Sequence, residues 1–360
     1  MTLVDGRHAS EHYYTLDVVR SVAAIAVLFW HYQNFFLFDD PGRVTPYQMA
    51  QSPLYMIFSP FFDHGGYAVQ IFWMLSGFVF AAVYFSNDVS GRSFFWARFA
   101  RLYPLHLLTL LSVLVLQTLS TAIVGHEQLF TNNDLYHFIL QLLFVSYWGW
   151  ENGHSFNGPI WSVSVEIMIY ILFWFILPII KKSKINFSII ISIYFWILAH
   201  IFLTSFYYIF ECGSYFFAGA ALYKWYKNTK VSAAIFGTIA LIFLTSGVLL
   251  VMYKPEWRFL FAIPLIALGT IGIALAFHSS TPKKSMRPIQ KVGDLTYGIY
   301  LWHIPLQISA LILIKWLDVQ WIVYSPIFLF AYIAIVLATA WMSYRFFELP
   351  MRVWLRKADR

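Results

Sequence analysis

The sequence predicts an all-α integral membrane protein with about ten transmembrane helices and both termini in the cytoplasm. Three observations carry that expectation. The 360 residues are 60% hydrophobic and only 11% charged, whereas a soluble domain carries about 25% charged residues. The apolar residues gather in runs of about 17–25, long enough to cross a bilayer as helices. The basic residues between those runs fall on alternate sides. A chain so poor in charge cannot coat a water-facing surface, so lipid takes the place of solvent around most of it.

The first run, Leu16–Phe36, follows a polar leader. It is too long for the apolar core of a cleavable signal and reads as an uncleaved span. Val69–Phe85 is the second run, and Pro104–Val124 the third, entered through Arg98 and Arg101. Val163–Ile180 is the fourth. Phe187–Phe206 and Tyr208–Trp225 nearly abut, and the turn near Phe206–Glu211 is their least defined boundary. Val231–Met252, Phe259–Phe277, Tyr297–Ile314 and Tyr324–Phe346 complete the set.

With both termini inside, all but Arg43, Lys254, Arg258 and Lys315 of the 24 basic residues lie on the cytoplasmic side. An odd number of spans spoils that separation. The longest outer loop, Gly125–Pro159, holds Glu127, Asp134 and Glu151 and no Lys or Arg. Its apolar stretch Tyr136–Tyr147 suits the membrane interface or a re-entrant segment. Long loops of this kind are often functional. The chain reads as one domain, residues 1–360, with no soluble domain appended.

Composition also excludes classes of function. The net charge of +7 is spread over short clusters, with no long basic tract, which argues against nucleic acid. Cys212 is the lone cysteine, so no intrachain disulfide and no cysteine-based zinc site is expected. A Walker loop, a Gly-x-Gly-x-x-Gly turn and a Gly-x-Ser-x-Gly elbow are all absent. The histidines and carboxylates lack helical metal-ligand spacing, so no metal is expected.

Ionisable residues inside the spans carry the chemical argument, because each is costly in lipid. His31 lies about 22 Å along the first span at ~1.5 Å per residue, in the outer half of the membrane. Glu166 begins the fourth span from the same side. A carboxylate on one imidazole nitrogen fixes the tautomer and raises the basicity of the other, which makes His31 a candidate general base. Mutual satisfaction between two packed helices is the alternative.

Arg20, Arg98 and Arg101 mark the cytoplasmic edge. They suit phosphates through their guanidinium forks or lipid headgroups through positive-inside anchoring. Asp17 and Arg20 are three apart and can simply pair. His303, in the ninth span, suits a helix–helix hydrogen bond. Tyr147, Trp148, Trp150 and Trp161 cluster on the outer side, where rings stack on sugars or form an interfacial belt.

Taken in order, these segments resemble the acyltransferase-three family of bacterial membrane acyltransferases, which includes O-antigen O-acetylases. The family's opening Leu-Asp-x-x-Arg with a later His corresponds to Leu16-Asp17-Val18-Val19-Arg20 through His31. Its second-span pattern corresponds to Val69 through Phe78, including Ser76-Gly77-Phe78, with Trp73 in place of an aromatic partner. Arg98-Phe99-Ala100-Arg101 matches its Arg-x-x-Arg, and Trp161-Ser162-Val163-Ser164-Val165-Glu166 its Trp-Ser-x-Ser-x-Glu. Thr296-Tyr297 through Tyr300 and His303, and finally Glu348-Leu349-Pro350, match the late elements.

The resemblance implies an O-acyltransferase that takes acetyl-CoA or another acyl-CoA as donor. The implied acceptor is a hydroxyl of lipopolysaccharide O-antigen or another surface or lipid-linked polysaccharide. It implies the stand-alone form of the family, in the bacterial cytoplasmic (inner) membrane. His31 and Glu166 become the catalytic pair, and Arg20, Arg98 and Arg101 the donor-binding set. Ser76, Trp161, Ser164, Tyr297 and His303 become candidate substrate residues. A glycan transporter or flippase without acyl-transfer chemistry is the alternative.

Overall fold

The computed structural model describes residues 12–37, 44–183, 186–201, 205–278 and 287–357. Arg7, Arg43, Lys184, Lys283, Lys284 and Arg360 of the charge pattern lie outside them, as does part of the expected fifth span. All the regular structure among the described residues is helical, with no strand.

Helix α1 (Tyr14–His31) runs on into a 3-10 turn, Tyr32–Phe36. Two short helices, α2 (Pro46–Ala50) and α3 (Tyr55–His64), precede α4 (Ala68–Tyr84). Then come α5 (Gly91–Val124), α6 (Leu135–Leu142), α7 (Ile160–Lys182), α8 (Phe187–Ile201) and α9 (Tyr207–Asn228). Helices α10 (Ala233–Tyr253), α11 (Ile263–His278), α12 (Arg287–Trp316), α13 (Pro326–Ser343) and α14 (Leu349–Lys357) complete the chain.

Helices occupy all ten expected places, but eight stretches among the described residues are long and apolar enough to cross a membrane. The fifth and sixth expectations fall short for separate reasons. Helix α8 has 15 residues. Helix α9 has 22 but carries Glu211, Lys224 and Lys227. The second span is longer than expected, because α3 and α4 together make a stretch of 30 residues, Tyr55–Tyr84.

The chain divides into two compact units that interleave along the sequence. Met1–Ala23, Tyr67–Val89 and Val165–Asp294 form the first, and Ala24–Gly66, Ser90–Ser164 and Leu295–Arg360 the second.

The first unit is built on close helix contact at glycines. In lipid no hydrophobic force drives helices together, so small residues that admit backbone contact do. A Cβ at Gly77 on α4 would fall 1.7 Å from the Phe216 carbonyl oxygen on α9. A Cβ at Gly219 on α9 would fall 1.9 Å from the Met74 carbonyl oxygen. Neither position therefore admits a side chain. Phe80 and Tyr170 stack at 4.3 Å, with Phe173 and Phe216 edge-on around Phe80, and fill the space beside the seam. Gly247 and Gly269 seat α10 against α11 in the same way. The outward residues of α10, among them Leu241, Ile242, Leu249 and Met252, are exposed apolar side chains, as a lipid-facing surface requires. A buried polar bond joins α4 and α9 in this unit: Gln70 Nε2 donates to Glu211 Oε1 at 3.1 Å.

The second unit holds the long α5, about 51 Å at 1.5 Å per residue. Ser90 caps its first turn through the Ser93 amide, and Gly125 ends it in the left-handed conformation at φ 91°. Trp96 Nε1 on α5 donates to the Leu355 carbonyl of α14 at 2.8 Å. In the outer loop, α6 is capped by Asp134, whose oxygen accepts from both the His137 amide and its imidazole. Those bonds hold the Asp134 carboxyl below the usual carboxylate range. On α6, His137, Leu140 and Gln141 are buried while Leu135, Ile139 and Leu143 are exposed.

The Gly77 seam yields a stability prediction. Gly77→Val forces α4 and α9 apart and should cost on the order of 3 kcal/mol. Gly237→Ala, whose Cβ meets only Ala276 Cβ at 3.3 Å, should cost much less. Thermal melting of the detergent-solubilised proteins checks the ranking.

Candidate functional site

His31 is the last residue of α1. Its Nδ1 lies 3.1 Å from the Val27 carbonyl oxygen, one turn back. A carbonyl can only accept, so Nδ1 carries the proton and Nε2 presents its lone pair. Nδ1 is the nitrogen a carboxylate orients in a catalytic dyad. Here the helix's own backbone supplies that acceptor. Glu166 lies on α7 in the first unit, half-buried.

The backbone of His31 is held as firmly as its ring. Its carbonyl accepts from Gln307 Nε2 at 2.7 Å, and Gln307 Oε1 accepts from Asn34 Nδ2 at 3.0 Å. Gln307 is fully buried on α12, four residues after His303, so both project from one face of that helix. The His303 ring packs against the His31 ring, with centroids 4.7 Å apart and planes at 49°. His303 is fully buried, and neither of its ring nitrogens is within hydrogen-bonding geometry of a partner. The Ile299 and Tyr300 carbonyls, a turn earlier, engage the ring in a looser geometry.

Proline sets the outer loop against α12. Pro305 has no N–H to give to Leu301, four residues earlier. The freed Leu301 carbonyl accepts instead from Asn157 Nδ2 at 3.1 Å. Tyr300 donates to the Pro159 carbonyl at 2.8 Å and pairs with Ser162 Oγ at 2.7 Å. Ser164 donates to the Phe144 carbonyl at 2.8 Å and also contacts the Ser146 carbonyl. Its hydroxyl is thus committed to shaping the loop.

Tyr147 and Phe144 adopt positive φ, at 65° and 59°. Bulky residues take that conformation only where their surroundings impose it. Tyr147 lies 5.8 Å from Trp161 and 5.0 Å from His154, ring to ring. His154 is exposed and within electrostatic reach of His31.

Arg98 and Arg101 are half-buried on the first turns of α5. Tyr297, on α12, donates to the Leu102 carbonyl beside them at 2.8 Å. The second unit therefore holds His31, Arg98, Arg101, Trp161, Ser164, Tyr297 and His303, and the first holds Arg20, Ser76 and Glu166. Ser76 is half-buried next to Gly77. Arg20 pairs with Asp17 at 3.2 Å, as their spacing allows, and His12 bonds the other Asp17 oxygen at 2.7 Å. Among the described residues no group of three or more His, Cys, Asp or Glu could hold a metal.

Gln307, Asn157 and the Val27 carbonyl were not expected from sequence. Gln307 left a usable signal, being a polar residue four after His303 inside an apolar run. Gln307→Met strands the His31 carbonyl and the Asn34 amide, and should cost about 1–2 kcal/mol. A lowered detergent melting temperature, with Asn34→Ala largely silent in the Gln307→Met background, checks the coupling.

The family model described as Acyltransferase domain matches residues 13–345. Nodulation protein 10 of Rhizobium leguminosarum bv. viciae is 25% identical over 352 residues, covering 88% of each chain. Acyltransferase MdmB of Streptomyces mycarofaciens is 34% identical over 126 residues, 34% of this chain and 31% of that protein. O-acetyltransferase OatA of Staphylococcus aureus is 30% identical over 133 residues, 35% of this chain and 21% of that protein. No solved structure matches the chain. With a match across nearly its whole length, the chain belongs to the acyltransferase-three family and is a membrane acyltransferase.

Proposed function

We propose that the protein is an O-acetyltransferase of the bacterial cytoplasmic membrane. It moves acetyl from cytoplasmic acetyl-CoA to a hydroxyl of O-antigen or another surface or lipid-linked glycan. The observation that carries this reading is the bare Nε2 of His31, a fixed lone pair within the apolar span Tyr14–Phe36. The name of one relative, an O-acetyltransferase, supports the acyl group and the type of acceptor.

In this mechanism His31 Nε2 takes the proton of the acceptor hydroxyl as its oxygen attacks the thioester carbonyl. The departing CoA thiolate recovers the proton. Arg98 and Arg101 receive the donor's phosphates from the cytoplasmic side. The ring cluster of Tyr147, Trp161 and His154 offers faces for a sugar. A transporter needs no such base, so turnover of acetyl-CoA by the purified protein separates the two.

His31→Ala should lower acetyl transfer by about 10³-fold, with membrane insertion unchanged. Glu166→Gln should cost less, because the Val27 carbonyl already fixes the tautomer. Release of free thiol from acetyl-CoA measures both, and a His31→Ala rate within tenfold of wild type removes His31 as the base.

Arg98→Ala and Arg101→Ala should raise the KM for acetyl-CoA, and Lys at either position should restore it in part, since Lys lacks the planar fork. An acetyl-pantetheine donor without the nucleotide phosphates should be indifferent to these changes. Equal losses for the two donors would show that these arginines do not bind phosphate.

A further inference from the structure

A base alone does not complete an acyl transfer. Negative charge develops on the thioester carbonyl oxygen, and a preorganised N–H or O–H donor aimed at it is usually the largest catalytic contribution. The donors around His31 are mostly committed. Tyr300 gives its proton to Pro159, Asn157 to Leu301, Gln307 to His31, and Ser164 to the Phe144 and Ser146 carbonyls.

His303 differs from all of these. Its ring is in contact with the base, it is sealed from solvent, and neither nitrogen meets an acceptor or donor in good hydrogen-bonding geometry, the Ile299 and Tyr300 carbonyls engaging it only weakly. A neutral imidazole always has one N–H, and burying that N–H poorly satisfied is costly. Such a group calls for an explanation in terms of what it meets during function.

We propose that His303 is the oxyanion donor of the transfer, its N–H binding the carbonyl oxygen of the acyl thioester while His31 handles the proton. The proposal rests on the acyltransferase reading above and adds a second catalytic residue to it.

The step balances as follows. The acceptor oxygen bonds to the thioester carbon, its proton passes to His31 Nε2, and the carbonyl π pair moves onto the oxygen held by His303. On collapse the C=O bond re-forms, the C–S bond breaks, and the thiolate leaves with the proton from His31. The His303 ring lies against the His31 ring, centroids 4.7 Å apart, so a thioester that settles beside the base is next to the donor.

The experiment uses the full-length protein in detergent micelles, with acetyl-CoA as donor and a methyl hexopyranoside as soluble acceptor. His303→Phe keeps the ring and removes the donor. It should lower kcat by about 100-fold, as loss of an oxyanion donor does, and leave the KM for acetyl-CoA within about twofold. His303→Gln restores a side-chain N–H and should recover kcat to within about tenfold of wild type.

Thermal melting separates this role from packing. Phe in place of a poorly satisfied imidazole should keep or raise the melting temperature, whereas removing a structural hydrogen bond would lower it. A His303→Phe kcat within threefold of wild type overturns the proposal, as a buried water satisfying the imidazole would predict. Loss of both activity and melting temperature with no recovery by Gln also overturns it, as does a raised KM at unchanged kcat. An inactive wild-type protein would defeat the acyltransferase reading instead, so the two failures are distinguishable.

Discussion

The bond from His31 Nδ1 to the Val27 carbonyl sets the tautomer on which the proposed chemistry depends. A carbonyl oxygen has two lone pairs, so it can serve the helix and still take an imidazole proton. That choice of tautomer leaves Nε2 bare. The rest of the second unit keeps this geometry in place. Gln307 clamps the end of α1 through the His31 carbonyl, and Asn34 fixes Gln307 in turn. His303 backs the ring from the same face of α12. A base set by its own helix depends little on the packing of distant side chains, which suits a site embedded in a fluid solvent.

Lipid explains the division of labour in the remainder of the fold. Lipid does not penalise outward apolar side chains, so α10 shows its Leu and Ile outward, while α6 buries His137 and Gln141 beside Leu140. Cohesion comes from backbone approach at glycines and from polar bonds that cannot be traded for water. Gly77 and Gly219 supply the first on α4 and α9, and Asn157, Tyr300 and Ser164 the second around the outer loop. The same solvent makes a poorly satisfied His303 conspicuous.

Run length and hydropathy place all ten helices, because the thickness of a bilayer is a strong constraint. They fail to separate spanning from shorter or more polar helices at α8 and α9, where Glu211 and two lysines interrupt the apolar pattern. Glu211 bonds Tyr207 one turn back and Gln70, which lies 141 residues away in sequence. The two-histidine contact depends on tertiary packing between α1 and α12, which no local period encodes. His31 and His303 are each visible as costly residues in apolar runs. Their partners are not, because a backbone carbonyl such as that of Val27 has no signature in the sequence. The Asp17–Arg20 pair shows the opposite case, since a spacing of three on a helix is local and was legible.

The tautomer of His31 is the most direct measure of this account. Nitrogen-15 spectra of histidine-labelled protein, with His31 assigned by its loss in His31→Gln, distinguish a protonated ring nitrogen from a bare one. A protonated Nδ1 and a bare Nε2 in the neutral imidazole are the predicted result. A proton on Nε2 with Nδ1 bare would contradict it, because the lone pair assigned to the acceptor hydroxyl would then not exist.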